Sequence, residues 1–110
     1  MIIVTTEYVP GMKVKEFKGF VKGGCIQSKH IGKDILAGFR SVVGGEITEY
    51  TEMMEEARQK AIGRMVEDAK SKGANAIIGM RLQTASVMTN VSEIVAYGTA
   101  VYVETNEELE

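Results

Sequence analysis

Residues 93–103 read EIVAYGTAVYV, and the fold turns on how this strand meets water. Alternation puts Ile94, Ala96, Gly98, Ala100 and Tyr102 on one face and Val95, Tyr97, Thr99, Val101 and Val103 on the other. Both faces are largely apolar. An antiparallel strand with one wet face should carry polar residues at every second position, and this one does not. Just upstream, residues 75–84, NAIIGMRLQT, predict a neighbouring strand. Simple alternation sets Ala76, Ile78, Met80 and Leu82 on one of its faces and Ile77 opposite. Residues 85–92, ASVMTNVS, predict a polar loop that joins the two strands as a hairpin.

The covering layer for one face is plain. Residues 47–72 carry Met53, Met54, Ala57, Ala61, Ile62, Met65, Val66 and Ala69 at helical intervals, a broad apolar stripe. Acids (Glu49, Glu52, Glu55, Glu56) open this helix and bases (Arg58, Lys60, Arg64, Lys70, Lys72) follow, the order that suits a helix dipole. Gly73 ends it. A shorter amphipathic helix is predicted over residues 33–43, KDILAGFRSVV, stopped by Gly44-Gly45. One long helix covers one face only. Leaving Val95, Val101 and Val103 wet would forgo on the order of several kcal/mol at roughly 25 cal/mol per Å². Either the 33–43 helix folds back over the second face or another copy of the chain covers it, and the second reading is preferred.

Toward the amino terminus, residues 2–5, IIVT, predict a short strand, and Pro10-Gly11 a turn. Residues 13–26, KVKEFKGFVKGGCI, predict a long strand. Alternation places Val14, Glu16, Lys18, Phe20 and Lys22 on one side and Phe17, Gly19, Val21, Gly23 and Cys25 on the other. Glycine weakens a strand unless something packs close, so Gly19 and Gly23 predict a bulky neighbour. The order is β, β, α, α, β, β. It predicts an α+β fold with an antiparallel sheet, one long helix packed on it and one short helix. Residues 1–103 form a single domain, and residues 104–110, ETNEELE, form an acidic carboxy-terminal tail expected to be solvated.

The chain has 110 residues, 13 basic and 15 acidic, a formal charge of −2. Removing the four tail acids leaves 11 against 13, a net of +2. Neither value suits a strongly basic nucleic-acid binder. The lysines at 13, 15, 18, 22, 29 and 33 read as a solvated strand edge. Phe17 and Phe20 are expected on opposite sides, so no interleaved aromatic platform forms and no nucleic-acid partner is expected. No run of about 18 apolar residues exists, so no membrane partner is expected. The amino terminus lacks the pattern of a secretory signal. A lone Cys25 gives no intrachain disulfide and fits a reducing, cytoplasmic setting.

Several strings occur together and in order: Val43-Gly44-Gly45-Glu46, Tyr50, Ala57-Arg58 with Ala61, Gly73-Ala74-Asn75-Ala76, and Tyr97-Gly98-Thr99-Ala100-Val101. In this combination the chain resembles the YbjQ family of small prokaryotic proteins, from about Thr5 to Val103. The resemblance implies a dodecin-subunit-like α+β fold assembled as a ring-shaped homopentamer. It implies no enzymatic activity, and it implies heavy-metal binding as a label carried by inference. It also points to Gly44, Gly45, Glu46, Tyr50 and Arg58 as subunit-interface or pocket residues.

Candidate chemistry is sparse. One Cys and one His exclude a self-contained Cys/His zinc site of four ligands. Cys25 and His30 could contribute to a metal-ion site with a carboxylate such as Asp34, or across copies in a ring. The plainer alternative is a buried thiol and a surface histidine among lysines. Gly44-Gly45 precede a helix start, where backbone N–H groups can hold an anion. Glu46, Glu49 and Glu52 would repel one there, so a helix-cap role competes with a pocket. Met53, Met54 and Met65 read as core filling. Nothing supports catalysis, and the chain is expected not to be an enzyme. The sequence thus predicts a homo-oligomer, a pentamer by resemblance, that binds a metal or small ligand. The alternative is an assembly or regulatory module without one.

Overall fold

A computed structural model describes residues 1–28, 48–89 and 91–106. The expected short helix over 33–43 lies outside the described residues, as do His30, Gly44, Gly45 and Glu46. In chain order the described elements are β1 (Ile2–Ile3), β2 (Met12–Ser28), α1 (Thr48–Ser71), β3 (Ala76–Met88) and β4 (Val91–Thr105). They form a four-stranded mixed sheet in the order β1-β3-β4-β2 with the helix on one face. β1 runs parallel to β3, and β4 pairs antiparallel with both β3 and β2. The predicted α+β class holds, with a mixed sheet in place of a purely antiparallel one.

Element ends differ from expectation in three places. The hairpin strands run to Met88 and restart at Val91, so most of the predicted 85–92 loop is strand. The first strand stops at Ile3, yet the chain stays beside β3: Val4 N donates to Ile77 O at 2.9 Å and Met80 N donates to Val4 O at 3.0 Å. β4 continues through Glu104 and Thr105, taking in the first residues of the expected tail. The Pro10-Gly11 turn is closed by Met12 N donating to Val9 O at 3.0 Å.

Helix α1 follows its apolar stripe. Met54, Ala57, Ala61, Met65 and Ala69 are buried, with Ile62 and Val66 half-buried beside them. The helix ends as a Schellman turn at Gly73. Ala74 N donates to Ala69 O at 3.1 Å and Gly73 N to Lys70 O at 3.0 Å. Asn75 then acts as a clamp between β3 and β4. Its side chain donates to Val103 O at 2.9 Å and accepts from Val103 N at 2.8 Å, extending the ladder by one residue.

The stripe sits on β2 at backbone distance. A Cβ placed on Gly23 would lie 2.8 Å from the Arg64 carbonyl carbon and collide with the backbones of Ala61 and Met65. The predicted bulky neighbour of Gly23 is therefore the helix main chain itself. Gly19 has no such neighbour; its φ of +99° belongs to a strand irregularity instead.

Those irregularities overturn two predicted face assignments. β2 slips register between Val14 and Glu16 and again between Phe17 and Gly19, so Lys15 and Lys18 are extra residues in the pairing with β4. The slips bring Phe17, opposite Val101, onto the same face as Phe20, opposite Thr99. In β3 the slip between Ile78 and Arg81 comes at Gly79, φ +61°. Ala76 and Ile78 therefore lie on the outer face, whereas Met80 packs with the helix-side core. β4 has no slip of its own, and its faces are those alternation predicts.

The core accordingly has two parts. Under α1 lie Val21, Cys25, Ile77, Ile94, Ala96 and Ala100. On the outer face, Val9, Ala76, Ile78, Val101 and Val103 close together, with Val4, Met12 and Val14 packed against them. Val101 and Val103 are thus kept dry by the chain's own amino-terminal segment. Neither a second copy nor the 33–43 segment is needed for those two residues.

Candidate functional site

Of the predicted site residues, Cys25, Tyr50 and Arg58 fall within the described part of the molecule. Cys25 is buried on the helix side of β2, within the cluster that includes Met54, Ala57 and Ile94. Its sulfur accepts a long hydrogen bond from Gln27 Nε2 at 3.5 Å. Tyr50 lies in the first turn of α1. Arg58 sits two turns further on, half-buried, and its guanidinium is held by Glu55 at 3.3 Å along the helix. Glu55 also accepts from Gln59 Nε2 at 3.1 Å.

Among the described residues, no group of three or more His, Cys, Asp or Glu side chains could hold a metal ion. A thiol closed in by methionine, alanine and isoleucine, with an amide as its polar neighbour, does not form a donor set for a heavy metal within this part of one chain. The predicted pairing of Cys25 with His30 depends on a residue outside the described ones.

What the structure assembles is a surface. β2, β4 and β3 lie side by side, and their outer face carries Phe17, Phe20 and Ile26 from β2 with Val95 and Tyr97 from β4. Phe17 is 70% exposed, Phe20 62% and Ile26 65%. Phe20 and Tyr97 lie with ring centroids 6.4 Å apart, tilted by 41°. Across the strands, Lys22, Tyr97 and Arg81 form one row. Arg81 Nη1 is turned toward Thr5 O at 2.9 Å and Met80 O at 2.8 Å. Sequence reasoning missed this surface because it alternated through the slips in β2. A signal was present: Phe17 and Phe20 are an odd number of residues apart with a glycine between them, the composition of a bulge. The expected separation of the two rings, one ground for setting nucleic acid aside, does not hold.

A second arrangement sits at the β2 edge. Arg64 and Asp68 of α1 and Lys72 just past its end, each four residues apart, reach the strand's outward backbone. Arg64 Nη1 donates to Gly24 O at 2.5 Å. Asp68 Oδ2 accepts from Lys22 N at 3.3 Å, and Lys72 Nζ donates to Phe20 O at 3.4 Å. Lys72 also pairs with Asp68 at 2.9 Å. The Lys72 ammonium, then the Lys22 backbone N–H, hold the Asp68 carboxyl below its ordinary range.

Comparison with known proteins covers nearly the whole chain. A protein-family model described as "Putative heavy-metal-binding" matches residues 1–104. A UPF0145 protein of Halalkalibacterium halodurans is 62% identical over 104 residues, 94% of this chain and 98% of that protein. A UPF0145 protein of Methanosarcina acetivorans is 55% identical over 101 residues, 92% of this chain and 95% of that one. The crystal structure of a protein of unknown function from Pediococcus pentosaceus, in the DUF74 family, shares the fold. Its TM-score is 0.67 at 18% identity, over 94% of this chain and 98% of that one. On the extent of the family match and the identity to its relatives, this chain belongs to the YbjQ family.

Proposed function

We propose that the protein works as a homo-oligomer, five copies in a ring by the family resemblance, and that any metal or small ligand binds between copies. The reading is of a binding and assembly protein without catalytic activity. The observation that carries it is the outer sheet face, where Phe17, Phe20 and Ile26 stand exposed side by side on β2. Burying one such side chain fully contributes about 1.5–3 kcal/mol, so a like surface from a second copy has a strong reason to dock there. Exposed apolar patches of this kind mark interaction sites more often than they mark accident.

The second reading is an assembly or regulatory module without bound metal. One measurement separates the two. Native mass spectrometry of the purified protein reports subunit number and bound mass together. A multimer carrying extra mass, lost when Cys25→Ser is introduced, supports metal binding through that thiol. A bare multimer supports the second reading. The double variant Phe17→Ser/Phe20→Ser should dissociate toward monomer while keeping its circular dichroism. A folded wild-type monomer at micromolar concentration would overturn self-assembly itself.

A further inference from the structure

On the outer sheet face the rings of Phe20 and Tyr97 lie 6.4 Å apart, and Lys22 and Arg81 stand on either side of Tyr97 in its cross-strand row. From this juxtaposition we infer that the face binds a free mononucleotide, its base on the two rings and its phosphate on the two cations. The inference rests on the self-assembly reading and names the small ligand that binds between copies.

Neighbouring strands lie roughly 4.8 Å apart, so the backbones of Lys22 and Arg81 flank that of Tyr97 closely. Among the described residues neither cation is in an ion pair. Arg81 Nη1 donates to two neutral carbonyls, Thr5 O at 2.9 Å and Met80 O at 2.8 Å. Those bonds hold the guanidinium in place and leave its Nε and Nη2 donors for an anion. The Asp68 carboxylate, which guards the β2 edge, lies within the field of Lys22, but its ion-pair partner is Lys72 at 2.9 Å. The strands place one acid on this face, Glu93, two rows beyond Tyr97 between Ile26 and Ala85.

A second copy docked over Phe17, Phe20 and Ile26 would take Lys22 and Arg81 out of water as well. Charge buried without a partner is costly, and an apolar neighbouring surface brings no counter-charge. A bound anion removes that cost. Two cations flanking one ring suit a phosphate monoester, which carries roughly −1.5 to −2 at neutral pH and offers three acceptor oxygens.

The rings set the rest of the ligand, because any base stacks on an aromatic face. Phe20 is 62% exposed, Tyr97 is half-buried, and their planes are tilted by 41°, which makes an open corner. Ligand sites are concave, and the docked copy closes this one. The bare stretch suits a single nucleotide and not a strand. Past Phe17 the amino-terminal segment closes over Val101 and Val103, and in the other direction Glu93 repels a further phosphate.

The test is isothermal titration of the full-length multimer with adenosine monophosphate, set against adenosine and inorganic phosphate alone. The monophosphate should bind about tenfold tighter or more than either half, and less tightly as salt rises. Lys22→Gln and Tyr97→Leu should each weaken it about tenfold, with far-ultraviolet circular dichroism and subunit number unchanged. Should Tyr97→Leu dissociate the multimer, Lys22→Gln decides, since it alters an exposed side chain and keeps the backbone N–H that Asp68 holds. A monophosphate that binds no tighter than phosphate, or equally well to Lys22→Gln, would overturn the inference and leave self-assembly standing. Single-stranded oligoadenylate that binds far more tightly than the monophosphate would overturn it in favour of a nucleic-acid surface. A wild type that is itself monomeric would remove both readings.

Discussion

On the helix side of the sheet, α1 lies so close to β2 that position 23 has room for no side chain at all. On the outer side, the segment around Val4 and Val9 closes over Val101 and Val103 and reaches no further than the rows of Phe17 and Phe20. The first face is sealed over Val21–Cys25 of β2 and Ile94–Ala100 of β4 by a regular element whose backbone touches the sheet, and it is exposed at Leu82 of β3. The second is sealed at one end by an irregular segment and, among the described residues, is bare at the other. Similar apolar strands are therefore covered to different extents, and the difference lies in which of the described elements packs on each face.

The largest effect that tests this contrast is expected at the sealed face. Gly23→Val forces a branched side chain against helix backbone, which cannot move aside as a side-chain tip would. Overpacking typically costs about 1–3 kcal/mol, and a collision with main chain belongs at or beyond the upper end. The urea midpoint should fall sharply. An unchanged midpoint would mean that α1 does not sit on β2 as described.

Next comes a pair of truncations, one under each cover. Met65→Ala empties a fully buried site beneath the helix and should cost about 2–5 kcal/mol. Val9→Ala removes two methyl groups from the amino-terminal cover and should cost about 1.6 kcal/mol, at roughly 0.8 kcal/mol per buried carbon. Equal losses in chemical denaturation would contradict the view that the outer cover is the lighter of the two.

Much of this architecture was legible because periodicity survives wherever the backbone is regular. The α1 stripe from Met54 to Ala69, the stop at Gly73 and the two faces of β4 all follow from spacing alone. The outer surface was not legible, for a local reason. Each extra residue in a strand inverts the face of everything beyond it, so Lys18 moved Phe17 from the helix side of Val21 and Cys25 to the outer side. Gly79 did the same to Ala76 and Ile78 relative to Met80. Cover by an irregular segment is equally silent in sequence. Val4 and Val9 follow no period, yet they pack over the outer cluster. Of the candidate site, Cys25 was read correctly as a possible buried thiol. The expectations for His30, Gly44, Gly45 and Glu46 concern positions outside the described residues.

The smallest expected effect is at the guarded edge, where Asp68 is held by Lys72 and by the Lys22 N–H. Its carboxyl is depressed below the ordinary value of 3.8, so the folded state favours the ionised form. A depressed acid contributes stability that is fully present above the unfolded value and is lost as pH falls through the folded one. The Asp68 side chain is 33% exposed, and solvent screening limits such a pair to about 0.2–1 kcal/mol. Asp68→Asn keeps the shape and removes the charge. Urea melts from pH 7 downward should show wild type ahead by a constant few tenths of a kcal/mol or so, with the gap closing below about pH 4. A gap that stayed constant to pH 2, or one that widened on acidification, would mean that the carboxylate does not hold α1 to the β2 edge. The guard would then consist of Arg64 and Lys72 alone.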